Sequence, residues 1–297
     1  MNKLSNQNNQ NSEKKITPLN GTREAGMLVT AASQGTGKTY QNMIVIVNAV
    51  KDKIDIGVKG RKVLILDTNG EYTLDQFEKN GHNNFKPKTI AVKDVQAWCL
   101  SNMVDCRRID MKSLHINDKL KILSYVMQVM RNCLIILEDI NTITTDINHM
   151  KNIVSSIVNL RHKGVDVIIS YQSLRAVEPR ILSNCRWIRL HYSLGDVSDI
   201  NKKLNEPEMT KIAQLIINER YYNGDKRFLL YIHQTPPKLK GDFTKDEFMD
   251  ACKKFLLINK RKVKEHMNIT GCSQQQAIDE QSEQLFDLFY GNNDKDK

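Results

Sequence analysis

The run 27–40, MLVTAASQGTGKTY, constrains this chain more than any other. An apolar pentad reads as a buried strand, the glycine-bearing middle as a loop, and Lys38 onward as the first turn of a helix. The core, Gly35-Thr36-Gly37-Lys38-Thr39, has the form of a phosphate-binding loop in which Ala32 holds the place of the usual first glycine. Glycines let the backbone curl until several N–H groups aim at one point, and the following helix adds its positive end there. Lys38 would reach β- and γ-phosphates, and the Thr39 hydroxyl would bind Mg²⁺. The expected nucleotide-binding segment is therefore Ala32, Ser33, Gln34, Gly35, Thr36, Gly37, Lys38, Thr39 and Tyr40, with ATP and Mg²⁺ as cofactors. The competing description is a flexible turn with a surface lysine. The apolar strand before the loop and the helix-spaced Met43, Ile44, Ile46, Val47 and Val50 after it argue against that.

A second constraint is CLIILEDIN. The apolar run 134–137 reads as a strand buried on both faces, and it delivers Glu138 and Asp139 to its C-terminal end. That edge is where open α/β sheets bind ligands. Phosphate-loop hydrolases place a carboxylate there to hold Mg²⁺, largely through water, and another to polarise the attacking water. By register Glu138 falls on the metal side and Asp139 on the base side; the usual Asp-then-Glu order is reversed, so the pair is treated as a unit. Gln172 also stands at a strand end, after the run 165–170, where it could sense the γ-phosphate or orient water.

Strands are expected at 62–66, 89–92, 107–109, 186–191 and, as the last, 226–234 before Pro236-Pro237. Helical spacing covers 38–53, 116–132, 147–163 and 195–222, broken near Pro207. Alternating strands and helices give an α/β three-layer phosphate-loop domain over 23–235 with a mainly parallel central sheet. Residues 1–22, rich in Asn, Gln and Lys, read as a disordered tail. Residues 236–297 read as a small helical C-terminal extension, with Gly271 closing one helix and Ser273 capping the next. A basic cluster there, Lys253, Lys254, Lys260, Arg261, Lys262 and Lys264, is either a solvated face or a phosphate contact. A helix-turn-helix over 262–280 is the rival description, but its second helix is acidic and Gln-rich, which suits a DNA groove poorly.

Composition bounds the rest. With 297 residues and 40% apolar content the chain can bury a full core. A net charge of +10 suits a polyanionic partner, though solubility alone accounts for it equally. The six cysteines show neither CxxC pairs nor metal-ligand spacing and read as reduced core thiols. No run approaches the ~18 apolar residues of a membrane helix, and the N-terminus lacks the apolar core of a signal peptide.

Taken together, GTGKT, LILDTNGEY, LIILED, NLRHKGVDVIISYQS and ILSNCRWIRLH resemble the motif set of the FtsK–HerA superfamily of DNA-pumping ATPases over residues 25–195. The resemblance implies a RecA/FtsK-like fold. It implies catalytic roles for Lys38, Glu138, Asp139 and Gln172, and a role for Arg161 as an arginine finger reaching a neighbouring subunit's site. Glu71 and Tyr72 match a recurring Gly-Glu-Tyr element to which the sequence gives no job. A finger in trans implies a homo-oligomeric ring, with DNA phosphates gripped in a central pore by segments 67–88 and 141–148. With neither a membrane segment nor a β-barrel ahead of the loop, the chain looks most like a viral or phage genome-packaging ATPase. Such a protein would be cytoplasmic in the host or virion-associated, docked on a portal or membrane protein. Outside that class stand a non-translocating DNA-binding accessory factor, a small-molecule kinase and a GTPase-like switch. The switch would need an Asn-Lys-x-Asp element, and 201–204 lacks its acid.

Overall fold

The computed structural model describes residues 25–52, 57–140 and 147–290. The tail expected at 1–22 lies outside them, as do residues 141–146 of the second candidate pore segment.

The chain enters through β1 (Met27–Ala31), passes the glycine loop into α1 (Lys38–Val50) and returns as β2 (Val63–Asp67). Next come α2 (Leu74–Lys79), the two-residue β3 (Lys88–Thr89), α3 (Val95–Leu100), β4 (Cys106–Asp110), α4 (Ile116–Val129) and β5 (Leu134–Leu137). They are followed by α5 (Ile147–Asn159), β6 (Asp166–Tyr171), α6 (Pro179–Asn184), β7 (Trp187–His191), α7 (Pro207–Tyr222), β8 (Leu229–Gln234) and β9 (Pro237–Lys240). The chain closes with α8 (Lys245–Ile258), α9 (Lys260–Thr270) and α10 (Gln274–Phe289).

Among the described residues nine strands form one sheet, ordered β3-β4-β2-β5-β6-β1-β7-β8-β9. Every pairing from β3 to β7 is parallel; β8 and β9 join antiparallel. This is the α/β, three-layer phosphate-loop fold expected from the motifs. Along each central strand, alternate side chains enter two apolar layers. Val63, Ile65, Leu134, Ile136 and Ile168 pack with Met43, Ile46 and Val47 of α1. Leu64, Leu66, Ile135, Leu137, Val167 and Ile169 pack with residues of α4, α5 and α6. Burial on both faces is why these strands are apolar throughout rather than alternating. Each such side chain contributes roughly 1.5–3 kcal/mol.

Two expectations at the sheet edges need correction. The strand foreseen at 89–92 is only Lys88–Thr89, because a 3-10 turn takes over at Val92. The strand foreseen as last is not last. Pro236-Pro237 is expected to end it, but Pro237 begins β9, whose Leu239 pairs Ile232. Proline is tolerated here because β9 is an edge strand and Pro237 its first residue.

The C-terminal helices are capped as their sequence suggests. Thr244 with Glu247 and Ser273 with Gln276 form reciprocal capping boxes, and Gly271 ends α9 at φ 72°. In the basic cluster, Lys253 pairs Asp279, Lys254 pairs Glu219, Arg261 pairs Glu265 and Lys262 pairs Glu208. Four of its cations thus serve intramolecular ion pairs, which favours the solvated-face description. The described cysteines are all free thiols. No described helix is long and apolar enough to cross a membrane.

Candidate nucleotide-binding and hydrolysis site

The glycine loop leaves β1 at the C-terminal rim of the sheet. Gly35 and Gly37 adopt φ 81° and 89°, conformations open to glycine and strained for other residues. A Cβ at Gly35 would meet nothing within 4 Å, so the loop leaves an open concavity above it. Ser33 N–H donates to Tyr192 O, Leu194 N–H donates to Ser33 Oγ, and His191 Nδ1 lies 3.0 Å from Thr36 O. These bonds pin the loop to the end of β7 and the segment after it. Because Thr36 O can only accept, His191 carries its proton on Nδ1. Burial, with Arg189 nearby, pushes the His191 pKa down to about 3, so the ring is neutral.

Lys38 and Thr39 open α1 and meet three carboxylates. Lys38 Nζ stands 2.8 Å from Asp139 Oδ1 and 3.2 Å from Glu138 Oε2. Thr39 Oγ1 donates to Glu71 Oε2 at 2.6 Å. Residues about a hundred positions apart are therefore brought together as the motifs required. Burial opposes the Lys38 charge, but the two acids outweigh it and hold the Lys38 pKa above its ordinary value.

The Gly-Glu-Tyr element acquires a job from Asp67. This fully buried carboxylate ends β2 and folds the turn after it. Its Oδ1 accepts from Gly70 N–H and Glu71 N–H, and its Oδ2 from Tyr72 N–H and Arg108 Nε. The turn so formed aims Glu71 at Thr39 and sends Tyr72 inward, where its hydroxyl donates to Glu138 Oε1.

Register explains what surrounds Glu138. Leu66 pairs Leu137 and Leu137 pairs Ile169, so Asp67, Glu138 and Ser170 stand in one row just beyond. Thr30 pairs both Ser170 and Arg189 and continues the row. All five are buried under α1. Asn42, one helical turn after Lys38, lies over the row. Its amide donates to Glu138 Oε1 at 2.5 Å and its Oδ1 accepts from Arg189 Nη2. The oxygen is fixed by Arg189, which can only donate, so the amide nitrogen must face Glu138. Arg189 Nε and Nη1 have no hydrogen-bond partner among the described residues. A buried cation and a buried carboxylate thus flank one amide. Burial pushes the Glu138 pKa up, against Lys38 and the Tyr72 and Asn42 hydrogen bonds, which pull it down.

The cleft above has a volume of about 570 Å³, within the usual range for a ligand site. It is lined by Ala32 to Gly35, Gly37 to Tyr40, Asn69, Glu71, Asp139, Gln172 and Arg227. Asp139 adopts φ 42°, which turns its carboxylate to the cleft while Glu138 stays buried beneath. Asn69 Nδ2 donates to Asp139 Oδ2 at 3.0 Å. Gln172, just after β6, is exposed and also lines the cleft. Arg161 does not join this group. It is exposed at the other rim, where the strands begin, beside Arg61, Arg131, His162 and Lys163.

Sequence reasoning assigned no place in this site to Asn42, Asp67, Asn69, Arg189 and Arg227; it reads Asp67 and Asn69 as a turn and weighs Arg189 only for the kinase alternative. Asn42 had a signal, a polar residue beside the buried stripe of α1. Arg189 had another, a charge inside the strand WIRLH. Arg227 had none.

The sequence matches no protein-family model and no curated protein. Among solved structures, the chain is similar to the genome packaging NTPase B204 of Sulfolobus turreted icosahedral virus 2 in complex with ATP-gammaS. That similarity has 13% identity and a TM-score of 0.47 over 73% of this chain and 96% of that one. It is similar to the N-terminal domain of zonular occludens toxin from Neisseria meningitidis, at 10% identity and TM-score 0.34, over 76% and 98%. It also resembles ATPases 2 and 3 of EssC from Geobacillus thermodenitrificans, at 11% identity and TM-score 0.37, over 62% and 34%.

Proposed function

We propose that this chain is a Mg²⁺-dependent ATPase that couples hydrolysis to the movement of DNA, as a homo-oligomeric ring of the genome-packaging type. The observation that carries the reading is the meeting of Lys38 with Glu138 and Asp139 at 3.2 and 2.8 Å on the ligand-binding rim of a parallel sheet.

The cleft suits a triphosphate. Positive-φ glycines leave backbone N–H groups and open space above the loop, and Lys38 supplies a cation. It suits Mg²⁺ as well, since the groups beside Thr39 are hard oxygen donors. Thr39 and Glu71 would hold the ion, with Asp139 near; this moves the metal-side role assigned to Glu138 onto Glu71, the acid in contact with Thr39. Bound Mg²⁺ would neutralise charge on the phosphate oxygens. Asp139 would accept a proton from the attacking water, and Gln172 would orient that water. Glu138, buried and held by Tyr72 and Asn42, would position the Lys38 ammonium. A positioned base and a preorganised cation are what phosphoryl transfer asks of a protein.

The DNA and ring components are supported by the motif resemblance, by the net charge of +10, and by Arg161. Because Arg161 sits at the rim opposite its own cleft, its use in hydrolysis requires a second subunit. In segment 67–88, residues 67–72 are committed to the nucleotide cleft, so DNA contact falls to 73–88. The site of action would be the host cytoplasm or the virion, docked on a portal or membrane protein. The test is steady-state ATP hydrolysis with and without duplexes of unrelated sequence. Stimulation by each duplex to a similar degree supports the reading. Phosphate transfer to a small acceptor, or hydrolysis indifferent to DNA, would overturn its motor component.

A further inference from the structure

The strand order gives the cleft a direction. The loop that follows β1 has β6, β5 and β2 on one flank and β7 and β8 on the other. Every carboxylate of the site comes from the first flank: Glu71 after β2, Glu138 and Asp139 after β5. The hydrolysable end of a bound triphosphate must face them. Its nucleoside end must then extend towards the β7–β8 flank.

What waits there is Arg227, on the short turn between α7 and β8. Its guanidinium carbon lies 5.5 Å from the centre of the Tyr40 ring. Its stem lies along the phosphate loop, since a Cβ at Gly37 would stand 3.5 Å from Arg227 Cγ. Both residues line the cleft. The turn that presents Arg227 is fastened by Asp225 N–H to Arg220 O, Lys226 N–H to Gly224 O and Phe228 N–H to Asp225 O. The Phe228 ring is buried beneath Arg220, 5.2 Å from its guanidinium carbon. Arg227 is therefore an exposed side chain on a held backbone, able to swing on its stem without the turn moving.

We propose that Arg227 and Tyr40 seat the nucleobase by stacking on its face, and that the cleft accepts nucleoside triphosphates with little regard to which base they carry. A guanidinium plane and a phenol ring both present flat, polarisable faces, and every base has a π-face to meet them. Edge reading by an acid is not provided for: the cleft's carboxylates belong to the other flank, so no acid among the described cleft residues stands here to accept from a guanine edge. The Ser33 hydroxyl, which accepts from Leu194 N–H, and the exposed Gln34 amide can each donate as well as accept, so neither singles out one base. This inference rests on the nucleotide reading above and narrows it, because it predicts a broad NTPase rather than one confined to ATP.

The experiment is calorimetric binding of ATP, GTP, CTP and inorganic tripolyphosphate, each with Mg²⁺, to the full chain and to Arg227→Ala and Tyr40→Ala. Both positions reach solvent, and melting curves confirm that the variants fold. The wild-type chain should bind the three nucleotides within about fivefold of one another. Each variant should weaken all three roughly ten- to a hundredfold and leave tripolyphosphate within about twofold. An Arg227→Ala variant that loses tripolyphosphate as severely as ATP would make Arg227 a phosphate ligand and overturn the proposal. So would unchanged nucleotide affinity in either variant, or a wild-type preference for one base beyond about a hundredfold. A wild-type chain that binds neither tripolyphosphate nor any nucleotide would overturn the nucleotide reading itself.

Discussion

The Glu71 carboxylate sits 2.6 Å from the Thr39 hydroxyl. Thr39 thus finds its acid on the turn after β2, not on β5, and under the proposed function the site would divide its work among three carboxylates. Glu71 faces the hydroxyl, Asp139 faces the cleft, and Glu138 lies buried under both. The reversed Glu-Asp order ceases to be a puzzle on this arrangement, because the metal-side acid need not come from β5 at all.

Glu71→Gln keeps the size of the side chain and removes its charge. Apparent Mg²⁺ affinity in the hydrolysis assay should weaken roughly ten- to a hundredfold. Binding of Mg²⁺-free nucleotide should hold or improve, since a negative charge near the phosphates is gone. An unchanged Mg²⁺ requirement would remove Glu71 from the metal's surroundings.

Tyr72→Phe deletes the hydroxyl that donates to Glu138. That hydrogen bond pulls the Glu138 pKa down against burial, so its loss should push the pKa further up. The acid limb of the pH–rate profile should move to higher pH, and turnover at neutral pH should fall about tenfold. A uniform loss with no displacement of the limb would mean that Tyr72 serves packing only.

His191 makes a stability prediction of definite sign. Its pKa is about 3 in the folded chain, against about 6.5 when unfolded. Above the higher value both states are neutral and the fold has its full stability. As pH falls below it, the unfolded state binds the proton first, and stability drops by up to about 1.4 kcal/mol per unit until the lower value is reached. Denaturant midpoints at pH 7, 6 and 5 should show this decline in the wild type and a shallower one in His191→Gln. Parallel slopes would contradict it.

Arg161 is exposed at the rim opposite its own cleft, so under the proposed ring it would act on another subunit. Arg161→Ala and Glu71→Gln should each hydrolyse ATP poorly alone. Mixed before assembly, they should regain part of the wild-type rate, because some clefts then pair an intact acid set with an intact arginine. Rings that form but recover nothing would rule out action in trans.

The sheet was legible because its strands are buried on both faces and read as short apolar runs such as LIIL and VLILD. The phosphate loop was legible because only glycines permit its backbone. Pairings across the sheet were not, since nothing local tells β2 that it will lie between β4 and β5. For that reason Glu71 and Tyr72 stood in view without roles. Their meaning depends on Asp67 folding the turn and on register placing Asp67 beside Glu138. The error at β9 is local: Pro236-Pro237 breaks a central strand but not the start of an edge strand. Arg227 was invisible because an arginine in a polar turn carries no mark of the ring it will face.

The central claim is that Lys38 grips a triphosphate that the neighbouring carboxylates then help to hydrolyse. Phosphate release from ATP by the wild-type chain and by Lys38→Met, with Mg²⁺ and then with chelator, tests it most directly. Methionine fills much of the lysine stem and lacks its charge, and melting curves establish that the variant folds. The account predicts Mg²⁺-dependent release by the wild type and a loss of at least about a hundredfold in the variant. Equal release by a folded Lys38→Met protein, or release that persists undiminished without Mg²⁺, would contradict it.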